Sequence, residues 1–184
     1  MPLIKLSDVR KNYLNQTFNL EIDKHDFILL SGENGNGKTT LIQLLLGFIY
    51  PDVGHIETTK LKIGYLPEKA MLPLFVNVFV YLNTLARLKK SKLDLEFLYQ
   101  LNIPITKSIH ELSKGNQQKL AIFSTFMGNP DLVILDEPLS GLDSESADLF
   151  SDYLIKKRNL GLGLLISTHQ PDRFMHVCTK HIKL

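Results

Sequence analysis

A glycine-rich segment at residues 32–39 carries the most specific chemical pattern in the sequence. It spells GENGNGKT, which matches the pattern G-x-x-x-x-G-K-[ST]. Glycines let main-chain N–H groups surround a phosphate, Lys38 brings a positive charge to it, and the Thr39 hydroxyl can bind Mg²⁺. A chance glycine-rich turn is the alternative, but an apolar run precedes the segment (Phe27–Ser31) and a leucine-rich one follows it (Lys38–Leu46). The sequence therefore predicts a strand, a phosphate-binding loop and a helix in succession.

An acidic pair, Asp136 and Glu137, follows a second wholly apolar run, Leu132–Leu135. Such a run is typical of a strand buried on both faces, and open α/β sheets bind ligands at the carboxyl ends of their strands. We therefore expect Asp136 at a metal ion and Glu137 beside a terminal phosphate, where it could orient or deprotonate a water molecule. Taken alone, the pair could equally be an ordinary acidic turn.

With these two motifs the sequence resembles the ATP-binding cassette (ABC) family, the nucleotide-binding subunits of ABC transporters. Further matches occur in the family's order and extend the resemblance over nearly the whole chain. They are an aromatic residue that would stack on adenine (Tyr13), a signature-like LSKGN (Leu112–Asn116), a D-loop SGLD (Ser140–Asp143) and a switch-histidine loop STH (Ser167–His169). On their own, these could be a packing tyrosine, a helix-capping loop, an ordinary turn and a plain histidine.

The resemblance implies a role for each matching position. Glu137, His169 and Lys38 would be catalytic, with Glu137 activating water and the other two steadying the charge of the γ-phosphate. ATP would be bound by Tyr13, Gly32, Glu33, Asn34, Gly35, Asn36, Gly37, Lys38, Thr39, Thr40, Glu68, Ser113 and Gly115. Mg²⁺ would be held by Thr39, Asp136 and Glu68. Ser113 and Gly115 would face the ATP bound by a partner cassette.

Three positions depart from the family pattern. Lys114 replaces a glycine and Asn116 a glutamine in the signature-like segment, whereas Ser113 and Gly115 are kept. We therefore expect the contact with a partner's nucleotide to survive, with an added positive charge nearby. Glu68 stands where the family usually has glutamine; a carboxylate binds a metal more strongly but cannot donate a hydrogen bond. The LSKGN segment and the GYLPE of residues 64–68 resemble exporter-type cassettes.

Length, composition and charge exclude several classes of protein. The chain has 184 residues, 44% hydrophobic and 22% charged, which is typical of a globular domain. Its 21 basic and 19 acidic residues leave a net charge of +2, so no nucleic-acid partner is expected. The single cysteine, Cys178, excludes an internal disulfide and suits a reducing compartment. Without an apolar stretch of membrane-spanning length or a signal peptide, the expected location is cytoplasmic, peripheral to the cell membrane through a partner.

The order of the predicted elements indicates an α/β fold with a P-loop NTPase core. We expect a mixed, mostly parallel sheet flanked by helices, an inserted helical subdomain and a small N-terminal antiparallel β region. One cassette domain would occupy residues 1–184 and be nearly minimal, with the nucleotide-binding core at about 1–68 and 113–184 and the helical subdomain at about 69–112. Helices are predicted at Val76–Lys90, Leu93–Leu101, Asn116–Met127 and Ser144–Leu160, the last with Ser144 as its N-cap.

The expected function is that of an ATP-hydrolysing subunit that energises transport. Two cassettes, identical or not, would sandwich two Mg-ATP molecules and drive a separate membrane permease, an exporter, which would dock near residues 68–82. One alternative is a soluble cassette ATPase in a non-transport assembly such as iron–sulfur cluster biogenesis. The other is a regulatory cassette that does not hydrolyse ATP, which the departures at positions 68, 114 and 116 motivate and the presence of Lys38, Asp136 and Glu137 opposes.

Overall fold

The computed structural model describes residues 1–33 and 35–184; Asn34, predicted to contact ATP, lies outside the described residues. In chain order the elements are β1 (Ile4–Arg10), β2 (Thr17–Ile22), β3 (Phe27–Ser31), α1 (Lys38–Leu45), β4 (Val53–Thr58), β5 (Ile63–Leu66), α2 (Val78–Leu88), α3 (Leu95–Gln100), α4 (Lys114–Phe126), β6 (Leu132–Asp136), α5 (Ser144–Asn159), β7 (Gly163–Ser167), α6 (Asp172–Met175) and β8 (Lys180–Lys183). A 3-10 turn over Ile109–Glu111 precedes α4. These elements form two sheets and confirm the predicted α/β class.

The N-terminal region forms a small antiparallel sheet in the order β2-β1-β4, as predicted. Exposed and buried residues alternate strictly along β2, because successive side chains of a strand point to opposite faces. The central strand β1 pairs Ile4 with Ile22 of β2 and with Thr58 of β4. At its other end, Arg10 pairs with Val53, so the turn after β1 lies beside the segment that leads into β4.

The larger sheet has five strands in the order β5-β6-β7-β3-β8. We predicted a mixed, mostly parallel sheet, and every described strand pair in it is parallel. β3, β6 and β7 are buried over their full lengths, as their uninterrupted apolar sequences indicate. Asp136 pairs with Ser167, and Ser167 with Leu30, so the carboxyl ends of these three strands meet at one edge.

Two apolar cores cover the two faces of the parallel sheet, and alternate residues of β3 divide between them. Ile28 and Leu30 belong to the core shared with α1 and the antiparallel sheet. Phe27 and Leu29 belong to the core shared with α2, α3, α4 and α5. Because side chains alternate across a strand, a continuous apolar run is needed to supply both cores.

Helix boundaries follow the capping residues. The predicted helices are confirmed, and α2, α3 and α4 each begin one residue after an N-cap whose side chain accepts a main-chain hydrogen bond: Asn77, Asp94 and Ser113. The predicted Ser144 cap of α5 is wrong. Asp143 caps that helix, accepting hydrogen bonds from the N–H and hydroxyl of Ser146 at 2.8 and 2.9 Å. Asp143 has the extended backbone that an N-cap requires, whereas Ser144 is already helical.

Helices α2 and α3 fall within residues 69–112, and α4 leads back onto the parallel sheet. Gly64 of β5 allows the contact, since an ideal Cβ there would lie 2.4 Å from the Thr125 carbonyl oxygen of α4. The division into a nucleotide-binding core and a helical subdomain stays a prediction. In the part of the chain that the structure describes, no helix combines the length and apolarity that crossing a membrane requires.

Candidate nucleotide-binding site

One cavity of about 350 Å³ opens where the carboxyl ends of the buried strands meet the start of α1. It is lined by Tyr13, Leu14, Gly35, Gly37, Lys38, Thr39, Thr40, Glu68, Asp136, Glu137 and His169. All of them except Leu14 are residues that the sequence predicts for an ATP site. The fold therefore brings together positions that are up to 156 residues apart, 13 and 169.

The loop between β3 and α1 has the backbone geometry of an anion site. Gly35 and Gly37 have φ angles of 89° and 93°, which glycine adopts without steric cost. The N-cap of α1 is Gly37, which has no side chain that could bond to the first N–H groups of the helix. The first turn of α1 contains no acidic residue. The first N–H groups of a helix lack intrahelical partners and lie at the positive end of its dipole, so a phosphate is stabilised there.

Lys38 holds its positive charge inside this loop. The residue is 8% exposed, and Nζ donates to the carbonyl oxygens of Gly32 at 2.6 Å and Glu33 at 3.0 Å. Neutral carbonyls offset only part of the free-energy cost of burying an ammonium group. A bound phosphate would supply the opposite charge, so the arrangement fits an anionic ligand.

The end of β8 lies against the outer part of the phosphate loop. Leu184 N–H donates to the Ser31 carbonyl at 2.8 Å, and Asn36 Nδ2 donates to the Leu184 carbonyl at 3.0 Å. An ideal Cβ on Gly32 would lie 2.4 Å from the Leu184 carbonyl oxygen, so glycine alone fits there. Gly32, Glu33 and Asn36 shape the loop without lining the cavity, and their contact with ATP stays a prediction.

Asp136 is presented at the end of β6, with 8% of its surface exposed. Its Oδ1 accepts a hydrogen bond from the Ser167 hydroxyl of β7. Burial raises the pKa of Asp136 and the charge of Glu68 raises it further, while the Ser167 hydrogen bond and the charge of Lys38 act in the opposite direction. An aspartate whose pKa is raised by burial and by a neighbouring carboxylate is suited to bind a cation.

Glu137 is turned into the cavity by an unusual backbone conformation. Its φ is +48°, a left-handed region that few non-glycine residues occupy and that is often found at functional sites. The Glu137 N–H donates to the Ser167 carbonyl at 3.1 Å, which extends the β6–β7 ladder by one residue. Immediately beyond this bond the chain leaves the sheet, so the side chain projects from its edge.

The Glu137 carboxylate lies beside His169. Oε2 accepts a hydrogen bond from the His169 main-chain N–H at 3.3 Å. Oε1 is buried, lies 3.4 Å from His169 Nε2 and forms no hydrogen bond with any described residue. Burial raises the pKa of Glu137. A carboxylate that lines the cavity and has a raised pKa is suited to take a proton from water.

The donors around the cavity fit a magnesium ion that is shared with a ligand. Thr39, Asp136 and Glu68 line the same space, and hydroxyl, carboxylate and phosphate oxygens and water are the ligands that Mg²⁺ takes. Among the described histidine, cysteine and acidic residues, no group of three is placed to hold a metal by itself. Thr39, Asp136 and Glu68 would hold Mg²⁺ together with phosphate oxygens and water.

Tyr13 stands at the rim of the cavity on the turn between β1 and β2. It is 65% exposed, and an exposed aromatic ring near a phosphate loop is placed to stack on a base. Leu14, on the same turn, contacts the phosphate loop: its Cδ1 would lie 3.1 Å from an ideal Cβ on Gly37. Sequence reasoning missed Leu14, because nothing in the sequence except its position next to Tyr13 indicates that it lines the site.

Ser167, which the sequence analysis named only as the first residue of the STH segment, is a second residue whose role in the site was missed. It is fully buried, its hydroxyl binds Asp136, and its carbonyl accepts the Glu137 N–H. It therefore orients both acidic residues from the neighbouring strand. The sequence pattern that could have indicated this role is the position of Ser167 at the end of an apolar run, two residues before His169.

Ser113 and Gly115 lie apart from this cavity. Ser113 is exposed and caps α4 by accepting a hydrogen bond from the Asn116 N–H at 3.2 Å. Gly115 lies against the D-loop, where an ideal Cβ would be 3.0 Å from the Gly141 carbonyl oxygen. The two residues are thus not brought to the chain's own phosphate loop, which is compatible with a role at another subunit's nucleotide.

Three proteins illustrate what the chain is similar to. An uncharacterised ABC transporter ATP-binding protein of Methanocaldococcus jannaschii is 35% identical over 97% of this chain and 72% of its own length. A zinc import ATP-binding protein of Rickettsia prowazekii is 34% identical over 86% of this chain and 73% of its own length. A solved structure described as an inward-facing metal-chelate type ABC transporter superposes with a TM-score of 0.83 at 26% identity, covering 100% of this chain and 79% of its own. Across eight curated relatives, the chain spans between 59% and 76% of their lengths.

Fold, cavity and relatives together define the class of ABC-type ATPases coupled to transport. The profile of the ABC transporter family matches residues 15–140, more than half of the chain. The chain belongs to the ABC transporter family, as an ATP-binding subunit. In that family ATP-binding cassettes work with membrane permeases. The predicted family and fold are confirmed, whereas the predicted exporter type is not resolved, because the relatives include zinc import proteins.

Proposed function

We propose that this chain binds Mg-ATP in the cavity at the start of α1, hydrolyses it, and thereby drives a separate membrane permease. The convergence of Lys38, Glu137 and His169 on that one cavity supports the proposal. Attack of water on a terminal phosphate needs positive charge beside the phosphate and a base near the water, and Lys38 and Glu137 would supply them.

ATP would be bound mainly through its phosphates. The first N–H groups of α1 and the Lys38 ammonium would contact phosphate oxygens, and Lys38 would exchange its two loop carbonyls for them. Thr39, Asp136 and Glu68 would hold Mg²⁺, which neutralises phosphate charge when it is bound. At the other end of the nucleotide, Tyr13 would stack on the adenine.

Hydrolysis would depend on Glu137 as general base. As the water oxygen bonds to the γ-phosphorus, the bond from that phosphorus to the bridging oxygen of ADP would break and the water proton would pass to the Glu137 carboxylate, which lines the cavity. His169, whose Nε2 lies 3.4 Å from Glu137 Oε1, would donate a hydrogen bond to the γ-phosphate. The place of Glu137 in the cavity lining and the raised pKa of its carboxyl, which burial causes, support this assignment.

A second cassette would complete the site. The exposed Ser113 hydroxyl and the start of α4 would meet the γ-phosphate bound by the partner, and the partner's equivalents would meet this chain's nucleotide. α4 has no acidic residue in its first turn, so its positive dipole end is not cancelled. Lys114 adds an exposed positive charge at the same place.

The permease would dock near residues 68–82. A groove of about 540 Å³ separates β5 and the following segment from α2 and α4, and Tyr65, Leu72 and Tyr81 are among its lining residues. Nearby, Met71 is 98% and Phe75 is 87% exposed. Such apolar exposure is suited to a partner helix.

The direction of transport stays a prediction. The LSKGN and GYLPE segments favour an exporter, and the relatives named zinc import proteins count against it. Reconstitution with a membrane permease that copurifies with this chain, followed by measurement of which side of a vesicle gains substrate in the presence of ATP, decides the question.

Lysine substitutions test the ATPase proposal. Lys38→Ala is expected to lower phosphate release from Mg-ATP at least about 100-fold, because a buried charged contact to the phosphates is lost. The matched control is Lys156→Ala, which removes a surface lysine paired with Glu96 and is expected to leave the rate unchanged. Wild-type protein that binds ATP without turnover, even beside its permease, would favour the regulatory alternative.

Co-purification tests the transport role. We expect a multi-span membrane protein to copurify with the tagged wild-type chain, and less of it with Phe75→Asp, which places a charge on the proposed docking surface. A soluble multiprotein assembly in place of a membrane protein would favour the non-transport alternative.

A further inference from the structure

The turn that carries Tyr13 is tied to a single carboxylate, Asp52. Asp52 Oδ1 accepts a hydrogen bond from Lys11 Nζ at 2.6 Å, and Oδ2 accepts one from the Asn12 N–H at 2.7 Å. The Asp52 N–H donates to the Arg10 carbonyl at 2.9 Å. The three residues immediately before Tyr13 are thus all bonded to one residue.

This arrangement follows from strand pairing in the antiparallel sheet. Arg10 at the end of β1 pairs with Val53 at the start of β4, so the residue before Val53 lies opposite the residue after Arg10. Lys11 Nζ donates a further hydrogen bond to the Tyr50 carbonyl at 3.0 Å. With side chains 15% and 31% exposed, the Lys11–Asp52 pair is partly shielded from water. Its geometry does not depend on charge alone, because Asp52 also makes main-chain hydrogen bonds with Asn12 and Arg10.

On its other side, the turn rests on the phosphate loop. The Leu14 N–H donates to the Lys11 carbonyl at 2.9 Å, which closes the turn. The Leu14 side chain lies in contact distance of Gly37, the residue before α1. Tyr13 stands between these two anchors, with Lys11 Nζ 5.7 Å from its ring centroid. The backbone from which the Tyr13 ring projects is therefore held on both sides.

We propose that Asp52 is a positioning residue for the base of the bound nucleotide: it holds the 11–14 turn so that Tyr13 meets the base at a set distance from the phosphate loop. This inference rests on the proposed function, in which Tyr13 stacks on adenine. Base and phosphates of a nucleotide are joined by a short linker, so a pre-positioned ring stacks without the entropy cost of ordering the turn. Removing Asp52 weakens the base contact and spares the phosphate contacts.

The charge state of Asp52 agrees with this role. The hydrogen bond from Lys11, followed by that from the Asn12 N–H, holds the pKa of Asp52 below its ordinary value. The carboxylate is therefore ionised at neutral pH, and both of its oxygens act as acceptors.

Two ligands test the proposal on the purified chain. Mg-ATP carries phosphates and a base, whereas Mg-tripolyphosphate carries phosphates alone, and titration calorimetry measures the affinity of each. Asp52→Ala is expected to weaken ATP binding about 5- to 10-fold, a part of what stacking a base on an aromatic ring contributes. Tripolyphosphate binding is expected to change by less than about twofold, because the phosphate contacts are intact.

Two further variants keep the test independent of folding. Lys11→Met removes the other half of the ion pair and is expected to act in the same direction as Asp52→Ala, without adding to it in the double variant. Asp148→Ala removes the carboxylate of another ion pair, with Arg173, and is expected to leave both affinities unchanged. An equal loss for both ligands in Asp52→Ala and Lys11→Met, or no loss for ATP, overturns the proposal.

Tyr13→Ala separates this inference from the proposed function. If it leaves the ratio of ATP affinity to tripolyphosphate affinity unchanged, base stacking by Tyr13 itself is wrong. If Tyr13→Ala lowers the ratio and Asp52→Ala does not, only the positioning role of Asp52 is wrong.

Discussion

The nucleotide cavity and the start of α4 differ in how many elements build them. The cavity is lined by residues that follow β1, β3, β5, β6 and β7. Its central charged groups are almost enclosed, with Lys38 and Asp136 each 8% exposed. Ser113 and Lys114, in contrast, stand exposed at a single helix start. The first region is a preformed pocket, and the second presents groups to solvent.

The difference indicates what each region needs from outside. The pocket needs a ligand, because it holds a buried cation and carboxylates with raised pKa values. In the proposed function, the helix start meets the negative charge of a partner's nucleotide. Inside the chain the two are linked, since Gln118 Nε2 of α4 donates to the Pro138 carbonyl at 3.0 Å, one residue after Glu137. Despite this link, substitutions in the pocket should affect ATP hydrolysis directly, whereas substitutions at the helix start should affect the contact with a second cassette.

Glu137→Gln in the pocket is expected to have the largest effect. Glutamine keeps the size of the side chain but cannot take a proton from water, so the rate of phosphate release should fall about 10²- to 10⁴-fold. Affinity for ATP should be kept, and light scattering should detect an ATP-dependent dimer. An unchanged hydrolysis rate would show that Glu137 is not the base.

Ser113→Ala at the helix start is expected to lower hydrolysis about 10- to 100-fold, because a hydroxyl contact to a charged phosphate is lost. Calorimetry with monomeric protein should show the same ATP affinity as wild type. The lost N-cap should also lower the free energy of unfolding by about 1 kcal/mol.

Asp94→Ala is the matched control for that variant, since it removes the N-cap of α3 and lies outside the proposed nucleotide site. It should destabilise the protein at least as much and retain the ATPase activity. Equal losses of activity in the two variants would mean that Ser113 acts only by capping α4.

The pH dependence of hydrolysis tests the electrostatics of the pocket. Burial raises the pKa of Glu137, and a general base works only when deprotonated. The rate should fall about tenfold per pH unit on acidification, with a midpoint above the ~4.3 of an ordinary glutamate. The residual activity of Glu137→Gln should lack this acid limb. A midpoint at or below the ordinary value would contradict the assignment.

Glu68→Gln is expected to have the smallest effect of the four. Losing one negative charge near the metal should raise the Mg²⁺ concentration for half-maximal hydrolysis about fivefold, or roughly 1 kcal/mol. It should also lower the pKa of Asp136, because the charge of Glu68 raises that pKa. Glu96→Gln on α3 serves as the control, and a Mg²⁺ dependence that is the same in both variants would remove Glu68 from the metal site.

Local patterns made much of the site predictable. The phosphate loop is one continuous segment whose glycines and lysine act on their own backbone, so residues 32–39 suffice to identify it. Asp136 was predictable because an apolar run has to end at a sheet edge. The cap of α5 was not, because Asp143 and Ser144 are both good capping residues and the backbone angle decides between them.

By itself the sequence determined the family, the succession of strands and helices along the chain, and the identity of the charged residues that meet in the pocket. Tertiary structure alone decided which strands are neighbours. The order β6-β7-β3 puts the Ser167 hydroxyl on Asp136, and the pairing of β1 with β4 puts Asp52 on the Tyr13 turn. Both contacts join residues more than thirty positions apart. Hydropathy predicts that a strand is buried, whereas its register against another strand depends on the packing of the whole sheet.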